Sequence, residues 1–138
     1  MRTGGVLVAG AVLGLLSVVI GAASEHVLQG RTDAEGFRYV MTAIRYHQFG
    51  ALAVTAIGLA LLFGSASLPA AITRRAALAA WLLVAGTVLF SFSIYVSVAL
   101  DRPGLTYVTP VGGTTLMLGW VALAWAGVTG MRGRKPLQ

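Results

Sequence analysis

Four stretches of this 138-residue chain carry no Asp, Glu, Lys or Arg: Thr3–Ser24 (22 residues), Tyr46–Thr73 (28), Ala76–Leu100 (25) and Pro103–Met131 (29). About 20 apolar residues cross the hydrocarbon layer of a bilayer, at a rise of ~1.5 Å each. Each stretch has room for one membrane-spanning helix and not for two. Backbone polar groups in lipid must be paired within the segment, and runs this long and continuous do not match the short alternating strands of a membrane barrel. The expected fold is all-α: a single domain over residues 1–138 built as a four-transmembrane-helix bundle, with spans near 4–23, 46–64, 76–99 and 109–130.

Composition supports a membrane setting. Hydrophobic residues make up 57% of the chain and charged residues 10%, against about 25% charged in a soluble domain. The net charge of +6 would suggest nucleic acid on a soluble chain. Here the basic residues stand singly or in short groups between apolar spans, where attraction to anionic headgroups and control of topology account for them. The expected partners are membrane lipids and other membrane subunits or a second copy, with no nucleic acid. The absence of cysteine excludes disulfides, thiolate metal sites and cysteine nucleophiles.

Local signals mark the span ends. Thr109-Pro110 places a hydroxyl N-cap before a proline at the first helical position. Leu68-Pro69 breaks the chain between spans 2 and 3, and Asp101-Arg102-Pro103-Gly104 is a turn between spans 3 and 4. Short connections make these pairs antiparallel neighbours. With four spans, the termini and the 2–3 loop share one side, which carries Arg2, Arg74, Arg75, Arg132, Arg134 and Lys135 and no acid. The other side holds Arg31, Arg38, Arg45 and Arg102 with every acid: Glu25, Asp33, Glu35 and Asp101. The positive-inside rule then puts both termini in the cytoplasm, and the expected location is a bacterial cytoplasmic (inner) membrane.

The connection between spans 1 and 2 is too long to be structureless. Thr32-Asp33-Ala34-Glu35 fits a capping box, and Phe37, Val40, Met41 and Ile44 follow at helical spacing. This predicts a short amphipathic helix near 33–44, lying on the membrane surface or running straight into span 2; Gly36 weakens it slightly.

Span 1 closes on Gly21-Ala22-Ala23-Ser24-Glu25-His26. A small-residue end after an apolar core resembles a signal-peptidase site, but the apolar run is longer than a 7–15-residue signal core, so a retained helix is expected. Across the loop, Arg45-Tyr46-His47-Gln48 opens span 2 on the same side. Glu25, His26, Arg45, Tyr46 and His47 thus form a candidate polar cluster, in which Arg45 pairs with Glu25. Charges near a helix end can snorkel to the interface, so the cluster is tolerable as a structural anchor without any function. Two histidines and a carboxylate make a metal site conceivable, but adjacent Glu25 and His26 point ~100° apart on a helix, and no metal is expected. Both histidines sit at span ends, which gives heme or quinone no support.

In span 3, Ser91, Ser93, Tyr95 and Ser97 alternate with apolar residues, a period that spreads them around a helix rather than along one face. Such serines usually bond to the preceding turn or to a neighbouring helix. Gly10 and Gly14 form a GxxxG pattern, and Gly112, Gly113 and Gly119 give span 4 small surfaces for close helix packing, within the bundle or between copies. The sequence contains no nucleophile motif, phosphate-binding glycine loop or paired carboxylates, so neither catalytic residues nor a cofactor are expected.

Gly21-Ala22 with His26 and Leu28, Thr42-Ala43-Ile44-Arg45-Tyr46 and Ala51-Leu52 resemble the first half of the YgdD-like family of small bacterial inner-membrane proteins, which includes the eukaryotic transmembrane protein 256. Leu89-Phe90-Ser91 with Ser93 and Tyr95, then Thr109-Pro110-Val111-Gly112-Gly113 and Gly119-Trp120, are similar to its second half. The resemblance implies a four-helix membrane protein and supplies no reaction. The chain departs from it in the charge at Glu25, in Phe92, and in Gly50 where the family often has histidine; His47 is expected on a different face. The leading expectation is a non-enzymatic membrane protein acting through helix contacts, as a homo-oligomer or as an accessory subunit of a larger complex. The alternative is a carrier or binder of a lipid, quinone or small ion at the Glu25–His47 cluster.

Overall fold

In the computed structural model, which describes residues 3–28 and 30–132, the charge-free stretches become helices. Helix α1 (Thr3–Ala23) ends in a wider π-helical turn at Ser24–Leu28, and α2 (Ala34–Gly64) returns beside it. The third span is one rod in three parts: α3 (Ala70–Thr87), a π turn at Val88–Phe92 and α4 (Ser93–Ala99). A 3-10 segment, Pro103–Val108, then leads into α5 (Thr109–Arg132). Four helices are long and apolar enough to cross a membrane: Gly4–Val27, Ala34–Gly64, Ala70–Ala99 and Pro103–Met131.

The amphipathic segment is the first part of α2, which runs on unbroken into the span. Of the two placements open to the sequence, the continuous one is observed. Its N-cap is Asp33 rather than Thr32: the Asp33 carboxylate accepts from the Gly36 amide at 2.8 Å. A carboxylate serves the helix dipole better than a hydroxyl does. Glu35, instead of closing a capping box, accepts from the Tyr39 hydroxyl at 2.6 Å and pairs with Arg38 at 3.6 Å. Gly36 has a positive reason to be there, since a Cβ would meet Thr32 Oγ1 at 2.6 Å. Asp33→Ala is expected to cost about 1 kcal/mol at this helix end. Hydrogen–deuterium exchange would show faster exchange over residues 34–37, and Asp33→Asn would leave it unchanged.

Thr109 is also not a cap. Its backbone is already helical, and its hydroxyl meets Ser93 Oγ at 2.8 Å across the helix pair. The third span stops at a left-handed residue, Asp101 (φ 50°). There the Arg102 amide donates to the Ser97 carbonyl at 2.9 Å, closing a Schellman-type cap with aspartate at the position usually held by glycine.

The core lies where α2 and α3 meet, with Val54 and Leu83 sealed from solvent and Val6 and Leu116 reaching in from α1 and α5. Helix α1 packs along α2, and α5 along α3. Among the described residues, α2 and α5 are not packed along their length, which leaves a lateral crevice between them.

The expected packing glycines have definite neighbours. A Cβ on Gly10 would lie 2.6 Å from the Thr55 amide nitrogen, and one on Gly119 would lie 2.9 Å from the Leu83 side chain. One on Gly112 would fall on the backbone of Phe90, whereas Gly113 faces only the Phe90 ring, at 3.7 Å. Gly14 makes no such approach: nothing described lies within 4 Å of its Cβ position. Gly58 against Leu7 and Gly86 against Leu116, both at 2.6 Å to backbone atoms, are further close approaches that the sequence did not single out. At the opposite end from Asp101, the Arg75 guanidinium stacks 4.0 Å over Trp125 and donates to Thr129. Of the terminal basic residues, Arg2, Arg134 and Lys135 lie outside the described residues.

Candidate functional site

The five residues of the candidate polar cluster do not converge. Glu25 and His26 are exposed on the π turn after α1, Arg45 and Tyr46 are exposed on α2, and His47 is fully buried. No ion pair joins Glu25 to Arg45 among the described residues; the pair that forms is Arg38–Glu35. The reason is angular. Consecutive residues on a helix diverge by ~100°, so only one of Arg45, Tyr46 and His47 can enter the core.

His47 enters it and meets the third span. Its ring lies 5.4 Å from the Phe92 ring, and Nδ1 is 3.3 Å from the Tyr95 hydroxyl. Nearby, the Ser91 hydroxyl donates to the Ala43 carbonyl of α2 at 2.9 Å, and Thr87 fills the space left by Gly50. One expectation is corrected here, and the expected spread of the alternating polar residues of span 3 over more than one face is observed. His47 and Gly50, three residues apart, share the buried face of α2. Thr87, Ser91 and Tyr95 share the face of the third span turned toward them, while Ser93 looks toward α5. Residues four apart lie on one helix face, so Thr87, Ser91 and Tyr95 turn together toward α2 while Ser93 diverges. Two buried atoms, His47 Nε2 and Thr87 Oγ1, have no hydrogen-bond partner among the described residues.

The larger feature is the crevice between α2 and α5, a groove of about 850 Å³. Its mouth is polar, with Asp33, Glu35 and Tyr39 from the start of α2, Asp101 from the turn, and Thr106 and Thr109 from the approach to α5. Its deeper wall is apolar: Phe90, Ile94 and Val98 from the third span and Met117 from α5. Phe90, Gly113 and Met117 also line a second hollow of about 240 Å³, which carries the crevice on toward Phe49, Leu116 and Trp120. Tyr46, from the expected cluster, belongs here, with its ring 4.8 Å from that of Phe90. Three of the four acids in the chain line the groove. Sequence reading placed those acids on one side of the membrane but could not bring them together, because the turn at Asp101 and the start of α2 are distant in the chain.

A family model described as "Protein of unknown function (DUF423)" matches residues 20–113. The chain belongs to this family. The matched segment runs from the end of α1 into α5 and includes His47, Tyr95 and the whole groove mouth. The DUF423 chain is 34% identical to the UPF0382 inner membrane protein YgdD of Escherichia coli over 122 residues, covering 85% of this chain and 84% of the relative. It is 31% identical to the UPF0382 membrane protein YwdK of Bacillus subtilis, covering 88% and 94%. It is 30% identical to a UPF0382 membrane protein of Haemophilus influenzae, covering 83% and 86%. The YgdD-like resemblance in the sequence is therefore a family relationship, and the DUF423 chain is a membrane protein. No solved structure matches it.

Proposed function

We propose that this chain is a non-enzymatic membrane protein that holds one amphiphilic molecule drawn from its own bilayer, seated in the groove between α2 and α5. The polarity gradient of the groove carries the reading: hydrogen-bonding at the end where the helices leave the membrane, apolar where it descends between the spans. A bilayer lipid has the same gradient in the same direction. The volume, about 850 Å³, lies in the range of small-molecule sites, ~300–1,000 Å³. Of the two classes of function expected from sequence, this is the binder, moved from the Glu25–His47 cluster to the groove. The inner-membrane name of the Escherichia coli relative supports the same location here. The basic bias around Arg74 and Arg75 supports cytoplasmic termini, with the groove mouth facing the other side.

Helix contact with a second copy or a larger complex is the second reading, favoured by Gly14, whose open Cβ position leaves a small surface on the outer side of α1. Gly10, Gly112 and Gly119 support it less, since their close approaches are made within the chain.

Gly113→Leu tests the binding reading. Gly113 lines the groove, and a Cβ there meets only the Phe90 ring, at 3.7 Å, so a larger side chain takes up groove volume. Native mass spectrometry of protein extracted gently from its host membrane should find one retained lipid on the wild type. Retention on the variant should be at least about tenfold lower, corresponding to ~1.4 kcal/mol. A wild-type protein that carries no lipid, or a variant that retains as much, overturns the proposal.

A further inference from the structure

The geometry points to a phospholipid with a primary-ammonium headgroup as the occupant of the groove, an inference that rests on the binding reading above. Two independent features of the mouth select this chemistry. The first is charge. In a chain of net charge +6, Asp33, Glu35 and Asp101 line the groove, and no Lys or Arg does so among the described residues.

The second feature is the direction of the hydroxyl protons. Tyr39 donates to Glu35 at 2.6 Å, Thr106 to the Pro103 carbonyl at 2.6 Å and Thr114 to the Pro110 carbonyl at 2.9 Å. Ser97 donates to the Arg102 carbonyl at 3.0 Å. Ser93 donates to the Phe90 carbonyl, so the proton between Ser93 and Thr109 comes from Thr109. Five of the six hydroxyls in the lining therefore turn their protons inward and offer the groove only oxygen lone pairs, Thr32 being the exception. A hydroxyl and a carboxylate so arranged accept and do not donate.

A ligand matched to this lining must bring donors and positive charge. A quinone or a fatty carboxylate brings acceptors and finds one side-chain proton to receive, that of Thr32. An anionic headgroup meets three carboxylates. A choline headgroup has the charge but no N–H. A primary ammonium has three N–H donors and the charge together. Arg38, paired with Glu35 one helical turn earlier, and Arg102, next to Asp101 in the chain, are exposed at the mouth where the phosphate of such a headgroup would lie.

The test uses the full chain reconstituted into vesicles of equimolar phosphatidylethanolamine, phosphatidylcholine and phosphatidylglycerol, extracted gently and read by native mass spectrometry. The wild type should retain phosphatidylethanolamine over either competitor by about fivefold or more. The double variant E35Q/D101N should retain as many lipids with a ratio near one. Asparagine takes the left-handed backbone of Asp101 as readily as aspartate does, so this change removes charge without disturbing the turn. Circular-dichroism melting of the variant, unchanged from wild type, checks that the fold is kept. Retained lipid that mirrors the vesicle composition, a preference for phosphatidylglycerol, or a preference that survives in the double variant overturns the ammonium assignment while leaving lipid binding in place. Wild-type protein that retains no lipid of any kind overturns the binding reading and this inference with it.

Discussion

Gly112→Ala is expected to destabilise the protein by about 1–3 kcal/mol or more, the cost of forcing extra volume into a packed contact. The added methyl would fall on the Phe90 amide, with the Leu89 carbonyl carbon and Phe90 Cα each 2.7 Å away. These are backbone atoms of the π turn, so no side-chain rotation relieves the overlap. Helix α5 would have to move off the third span as a whole, and it carries Gly113 and Met117 of the groove with it. Gly14→Ala is the matched control. It adds the same methyl to open space, and alanine is the better helix former by ~1 kcal/mol. Thermal melting in detergent, followed by circular dichroism, should show a lower midpoint for Gly112→Ala and an equal or higher one for Gly14→Ala. Equal midpoints for the two variants would mean that α5 does not sit against Phe90.

His47→Ala should be the most damaging truncation of a polar side chain. It opens a void beside Phe92 and Tyr95 and takes away the partner of the Tyr95 hydroxyl. The hydrophobic term behaves differently here from a soluble core, because helices that separate within a bilayer remain in an apolar medium. What is lost is dispersion contact and one hydrogen bond, together about 1–3 kcal/mol. His47→Met keeps most of the volume and removes the unpartnered Nε2, so its loss should be smaller. A double-mutant cycle with Tyr95→Phe isolates the hydrogen bond: the combined loss should be less than the sum of the single losses, as for residues in direct contact. Additive losses would show that the two side chains do not interact, and His47→Met as costly as His47→Ala would remove the packing argument.

The spans could be read from sequence because a charge in the hydrocarbon layer is costly, so four charge-free runs could hardly be anything else. Helix α2 beyond that layer was legible too, from Phe37, Val40, Met41 and Ile44, since an amphipathic period does not depend on the rest of the chain. Facing was harder. A glycine in an apolar run states that something comes close and not what, so Gly10 and Gly14 looked alike although only Gly10 has a neighbour. The shared face of Thr87, Ser91 and Tyr95 follows from their spacing of four, but the sequence does not say which neighbouring helix that face meets. His47 was placed at a span end because the charge-free run opens at Tyr46; with α2 starting at Ala34, it stands well inside a continuous helix. The groove was not legible, because it is the space that α2 and α5 leave between them.

The continuity of α2 has a mechanical side. At ~1.5 Å per residue, its 31 residues form a rod of about 46 Å, while the hydrocarbon layer is ~30 Å thick. Several turns therefore stand clear of the membrane, and the described segment holds no proline or hinge to uncouple them from the rest. Asp33 and Glu35 ride on the free end and His47 and Gly50 on the immersed part of the same lever, so a push on the headgroup end of α2 is felt against Tyr95 and Thr87 inside the bilayer.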